Sequence, residues 1–174
     1  MEEKVILVDR NDQQIGLMNK MEAHEKAQLH RAFSIFVFNK KGELLIQQRA
    51  HSKYHSAGEW ANTCCSHQRD GETTLDAAHR RLMEEMGFDV ALSEVFNFIY
   101  KQAFGNGLTE HELDHVLFGE YEGEPEMNPE EVADWKYISL ADLNTDIENN
   151  PSHYTIWLKI ALKEVESHLK SPSK

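Results

Sequence analysis

Residues Ala32–Phe38 constrain the fold of this 174-residue chain more than any other stretch. The run Ala-Phe-Ser-Ile-Phe-Val-Phe is apolar at all but one position and does not alternate, so it reads as a strand buried on both faces. Such a strand needs a layer over each face, which implies a sheet with helices packed against it. Val5–Val8, a turn at Asn11-Asp12 and Ile15–Met18 suggest a hairpin before it, and Met21–Gln28 suggests a short helix. Lys40-Lys41-Gly42 reads as a turn. Glu43–Arg49, Trp60–Ser66, Glu94–Lys101, His111–Tyr121 and Trp135–Ile138 read as further strands.

Thr73–Met86 reads as a helix stopped by Gly87. Ser139 and Asp142 form a weak capping box for Leu140–Ile147. After Pro151, Tyr154, Trp157, Leu158, Ala161, Val165 and Leu169 follow helical spacing. The expected class is therefore α/β (α+β), a mixed sheet sandwiched between helices. One domain is expected over residues 1–170, with 171–174 as a flexible tail.

The net charge of −12 argues against a nucleic-acid-binding surface and against docking on an anionic membrane. An anionic small molecule remains compatible, since a few local cations or a metal ion reverse the field locally. No apolar run approaches the length of a transmembrane span, and Met1-Glu2-Glu3-Lys4 lacks the pattern of a signal peptide. The only cysteines, Cys64 and Cys65, are adjacent and poorly placed to pair, so a reducing, cytoplasmic setting is expected.

The helix ending in Glu84-Glu85 carries the first chemical signal. Arg81 and Glu85 are four apart and share a helix face. Glu85 offers a hard oxygen ligand of the kind Mg²⁺ prefers, a diphosphate can complete the shell, and Arg81 can take a phosphate oxygen. A solvated helix face with ordinary ion pairs is the alternative reading. The spacing of Glu72, Arg80, Leu82, Glu84, Glu85, Gly87 and Phe88 resembles the Nudix box, the loop–helix motif that binds metal–diphosphate in Nudix hydrolases. Ser66 stands where the box begins with Gly, and Arg81 where the hydrolases carry an acidic residue. A cation in place of an acidic ligand removes metal-binding capacity, which speaks against hydrolysis and leaves diphosphate binding in place.

Outside this helix, His24, His30 and His67 stand near strands, and Glu110 and Glu112 would share one face of a strand. A spacing of six keeps His24 and His30 off one helix face, so a shared role requires the chain to leave the helix between them. Together these residues could give one divalent ion three imidazoles and two carboxylates, a set that suits Mn²⁺, Mg²⁺ or Zn²⁺ alike. Taken singly, each reads better as a surface histidine or as part of an exposed acidic strand end. Cys65 and His67 alternate and could face one pocket, with Cys64 structural on the other side. A cysteine so close to a metal-bound histidine could have a lowered pKa and act as a base or an acid.

The whole set resembles the type 1 isopentenyl-diphosphate Δ-isomerases, a branch of the Nudix superfamily. The matching landmarks are Lys20 with His24, Leu29-His30-Arg-Ala-Phe-Ser, Leu44-Leu45-Ile-Gln-Gln-Arg49-Ala-His-Ser-Lys53, Trp60-Ala-Asn-Thr-Cys-Cys65-Ser-His67, the altered box, Glu110-His-Glu112 and Trp157. The resemblance implies isomerisation of isopentenyl diphosphate to dimethylallyl diphosphate, a step of isoprenoid biosynthesis, by way of a tertiary carbocation. It implies a first metal site of His24, His30, His67, Glu110 and Glu112. It also implies a Mg²⁺ held by Glu85 with the substrate diphosphate, and diphosphate contacts from Lys20, Arg49, Lys53 and Arg81. Cys65 and Glu112 would be the proton-transfer groups, with Tyr100 and Trp157 beside the reacting carbons. The only partner implied is this small prenyl diphosphate, and the oligomeric state, monomer or homodimer, stays open. The rivals are a Nudix pyrophosphohydrolase of a nucleoside or prenyl diphosphate and a non-catalytic diphosphate-binding protein.

Overall fold

In a computed structural model that describes residues 3–53 and 56–170, the doubly buried strand sits where its composition requires. It is β3 (His30–Phe38), and it pairs with strands on both sides. A hairpin of β1 (Lys4–Val8) and β2 (Gln14–Asn19) precedes it, followed by helix α1 (Lys20–Glu25). Next come β4 (Leu44–Arg49), β5 (Trp60–Ala61), β6 (Cys64–Ser66) and helix α2 (Thr74–Met86). The long strands β7 (Ser93–Ala103) and β8 (Thr109–Glu120) form an antiparallel pair. Strand β9 (Val132–Ile138), α3 (Leu140–Asn149), a 3-10 turn at Pro151–His153 and α4 (Ile156–Lys170) complete the order. The sheet is mixed, because β3 runs parallel to β8 and antiparallel to β4 and β6.

The alternation of β3 divides two apolar layers. Phe33, Ile35 and Val37 pack with Ala77, Ala78, Leu82 and Met86 of α2. Phe36 and Phe38 pack with Leu143 of α3 and Leu158, Ala161 and Val165 of α4. Thr73 caps α2 by accepting from the Asp76 amide at 3.1 Å. Gly87 ends it at φ +72, and a Cβ there would lie 2.3 Å from the Glu126 carbonyl oxygen, so glycine is required twice over.

Four sequence expectations are corrected. The expected strand Trp60–Ser66 is broken at Asn62-Thr63, whose side chains take the bonds a ladder would supply. The Thr63 hydroxyl donates to the Leu45 carbonyl and accepts from the Val37 amide, while the Asn62 amide donates to the Ile35 and Cys64 carbonyls. The helix expected over Met21–Gln28 stops at Glu25, because Ala27 adopts φ +54 and turns the chain. Tyr154 lies before α4 rather than on it, buried and bonded to Asp146. Leu169 is exposed, so the buried stripe of α4 ends at Val165. The tail at 171–174 lies outside the described residues.

Candidate active site

Strand register assembles the site. In the parallel β3–β8 pair His30 stands opposite Glu112, and in the β7–β8 pair Tyr100 stands opposite the same Glu112. Glu110, Glu112 and Asp114 share one face of β8 by its two-residue period. His24 arrives from α1, with the turn at Ala27 letting the chain leave the helix before His30. His67 follows β6 directly.

These elements bring His24, His30, His67 and Glu110 together, with their ligand atoms all within 4.8 Å of one another. All four are buried. His67 Nε2 lies 2.9 Å and His30 Nε2 3.3 Å from Glu112 Oε2, and His24 Nε2 contacts Glu110. The donor chemistry fits a divalent ion. His24 Nδ1 faces the Lys20 carbonyl at 2.6 Å and His30 Nδ1 faces the Gln28 carbonyl at 2.9 Å. A carbonyl only accepts, so both Nδ1 atoms carry the proton and both Nε2 lone pairs point into the cluster. His30 Nε2 is buried there without a hydrogen-bond partner, as an atom aimed at a metal would be. Burial works against a charge on His24 and His30, yet Glu110 and Glu112 respectively raise their proton affinity. Burial lowers that of His67.

Cys65 belongs to the adjoining wall. It packs against Ala61, Tyr100 and Trp157, while Cys64 is fully buried in the opposite layer against α2. The expected alternation of the two cysteines therefore holds, with Cys65 towards this wall and Cys64 in the core. The expectation of a lowered thiol pKa does not: burial pushes Cys65 well up, and the nearby Asp114 adds to it. Tyr100 donates to Glu112 Oε1 at 2.6 Å, and burial followed by the Glu112 charge raises its own pKa.

The cationic part is an ion-pair network. Arg81 donates to Glu85 Oε2 at 2.7 Å, to Glu84 at 2.9 Å and to Glu131 Oε2 at 3.1 Å. Lys53 also holds Glu131. Burial alone would raise the pKa of Glu131, but Lys53 and Arg81 keep it below the usual range. Glu85, only 5% exposed, receives the Gln47 amide on Oε1 at 3.0 Å. Arg49 lies 5.1 Å over the Trp157 ring. Lys20 is 3.4 Å from Glu3. Arg80 faces elsewhere, forked onto Glu72 at 2.7 and 2.9 Å.

One cleft is lined by Lys20, Arg49, Lys53, Arg81 and Glu85 together with Cys65, His67, Tyr100, Glu110, Glu112 and Trp157. Of the catalytic, diphosphate-contacting and metal-site residues that the resemblance implies, His24 and His30 are absent from its lining, and both sit in the histidine cluster. Sequence reasoning missed Gln47, Glu131, Ser34, Asn62 and Asp114. Gln47, Ser34 and Asn62 lie inside the quoted landmarks, and Asp114 continues the two-residue period of Glu110 and Glu112. Glu131 carries no local signal.

This fold and this helix define a Nudix domain, and the family model described as NUDIX domain matches residues 28–158. Solved structures share the fold at low identity. The Deinococcus radiodurans protein DR0079 superposes with a TM-score of 0.77 at 18% identity, covering 92% of this chain and 98% of that one. A MutT Nudix hydrolase from Burkholderia pseudomallei gives 0.58 at 22%, covering 79% and 98%. Curated relatives are closer. Isopentenyl-diphosphate Delta-isomerase 2 of Aromatoleum aromaticum is 51% identical over 96% of this chain and 88% of its own length. The enzyme of that name from Photorhabdus laumondii is 52% identical over 91% and 90%. The chain belongs to the isopentenyl-diphosphate Delta-isomerase family of Nudix proteins.

Proposed function

We propose that this protein isomerises isopentenyl diphosphate to dimethylallyl diphosphate, with Cys65 and Glu112 as its two proton-transfer groups. The observation that carries the reading is the single cleft that both groups line together with Tyr100, Trp157 and four cationic side chains. An alkene is a poor base, so an acid must be held against C4 to create the tertiary cation at C3. A second group must then take a proton from C2. Of the pair, Cys65 is a thiol kept protonated by burial, and Glu112 is a carboxylate fixed by Tyr100 and His67.

The cation does not survive in water, and the apolar wall of Ala61, Tyr100 and Trp157 excludes it. An indole face beside a desolvated cation is worth about 2 kcal/mol, which is more than tenfold in rate. Lys20, Arg49, Lys53 and Arg81 take the diphosphate, whose binding energy orients the reacting carbons. Glu85 would hold a Mg²⁺ together with the diphosphate. Both Glu85 oxygens already accept one hydrogen bond, and a carboxylate keeps lone pairs for an ion beside them. His24, His30, His67, Glu110 and Glu112 would hold a second divalent ion, Mn²⁺, Mg²⁺ or Zn²⁺, which would neutralise the buried carboxylates. Arg81 occupies its ion pairs with Glu85 and Glu131 where a hydrolase would place another carboxylate, so the diphosphate is a handle rather than the point of reaction.

Cys65→Ala and Glu112→Gln are each expected to lower turnover by three orders of magnitude or so with the melting transition retained. Turnover at the unmodified rate by either folded variant overturns the assignment.

A further inference from the structure

The thiol of Cys65 is not left to find its own direction. Ser34 on β3 stands directly opposite Cys65 on β6. The Cys65 sulfur lies 3.6 Å from Ser34 Oγ and 3.1 Å from Asn62 Oδ1. The Ser34 hydroxyl donates to Asp114 Oδ2 at 2.7 Å, so three neighbouring strands contribute one polar chain on one face of the sheet. Asn62 is locked because its amide nitrogen donates to the Ile35 and Cys64 carbonyls, which forces its oxygen towards the sulfur.

Nothing in the packing demands this chain. Ser34 and Asp114 are 3% and 1% exposed, in a sheet where an apolar pair would avoid the cost of burying them. The other carboxyl oxygen of Asp114, Oδ1, is buried with no hydrogen-bond partner, so Ser34 is what this side chain serves. We propose that Ser34, held by Asp114, is a positioning residue that aims the Cys65 sulfur at the reacting carbons. Asn62 Oδ1 can only accept and favours the protonated thiol. The Ser34 oxygen accepts as well, its direction fixed because its own proton goes to Asp114 Oδ2. This inference rests on the reading of Cys65 as a proton-transfer group.

The test measures kcat and KM for isopentenyl diphosphate in the metal-loaded full chain, alongside the alkylation rate of Cys65 by iodoacetamide and the melting transition. Ser34→Ala is expected to lower kcat about tenfold or more, as loss of alignment does, with KM close to unchanged and a changed alkylation rate. Ser34→Thr, which restores the hydroxyl, is expected to recover most of the rate. If Ser34→Ala does not fold, Asp114→Leu removes the anchor and is expected to give the same kcat loss. Full kcat in the folded Ser34→Ala or Asp114→Leu, beside an inactive Cys65→Ala, overturns the inference and leaves the role of Cys65 standing. A kcat loss that Ser34→Thr does not recover also overturns it. Full activity in Cys65→Ala removes both.

Discussion

Glu85 is held from two sides, by Gln47 on one oxygen and Arg81 on the other, and it is almost wholly buried. A carboxylate so fixed presents its remaining lone pairs in one direction, which is what a Mg²⁺ shared with a diphosphate requires. Glu85→Gln keeps the shape and removes the charge. It is expected to raise KM and the Mg²⁺ concentration for half-maximal rate by about tenfold or more, in line with loss of a metal-orienting group. A titration of rate against Mg²⁺ checks this, and an unchanged Mg²⁺ dependence contradicts it. Cys65 shows how one residue was half legible in the sequence. Its facing followed from alternation with His67, but its proton affinity depends on the burial around it and on Asp114, a residue 49 positions away. No local pattern contains that information.

Helix α2 is an element with two jobs kept on separate arginines. Arg81 faces the cleft, whereas Arg80 clips the preceding loop through its fork onto Glu72. The hydrogen bonds from Arg80 are the main cause of a lowered Glu72 pKa. A lowered carboxylate pKa adds stability above the unfolded value, which is near 4.3 for Glu, and loses it as the pH falls through the native value. Glu72→Gln is therefore expected to destabilise the protein at pH 7, by about 1 kcal/mol or less for a solvent-screened pair. The gap between the two proteins should close as the pH drops below about 4. Thermal melts at pH 7 and pH 3.5 compare them, and a gap that stays constant contradicts the clip. At this scale the long elements were legible, because α2 carries a cap and a glycine stop and β3 a run that is apolar at all but one position of Ala32–Phe38. The break at Asn62-Thr63 was not, since it depends on hydrogen bonds to strands 16 to 27 positions away.

At the scale of the whole molecule, an acidic chain gathers Lys20, Arg49, Lys53 and Arg81 into one cleft, beside the carboxylates of Glu85, Glu110 and Glu112. The histidine cluster draws on α1, β3, the end of β6 and β8, which makes it a product of topology rather than of any one motif. The identities of its members could be read in the sequence through the family resemblance, but their convergence needed the parallel β3–β8 register. Glu131, which joins Lys53 to Arg81, comes from the turn before β9 and shows up only when the chain is folded. The central claim is that proton transfer at the hydrocarbon end, with the diphosphate left whole, is the reaction this cleft performs. Proton NMR of isopentenyl diphosphate incubated with the protein and Mg²⁺ in D₂O tests it most directly. The account predicts dimethylallyl signals with deuterium entering the methyl group formed from C4 and no release of phosphate. Isopentenyl diphosphate that stays unchanged and undeuterated, or phosphate released without dimethylallyl product, would contradict it.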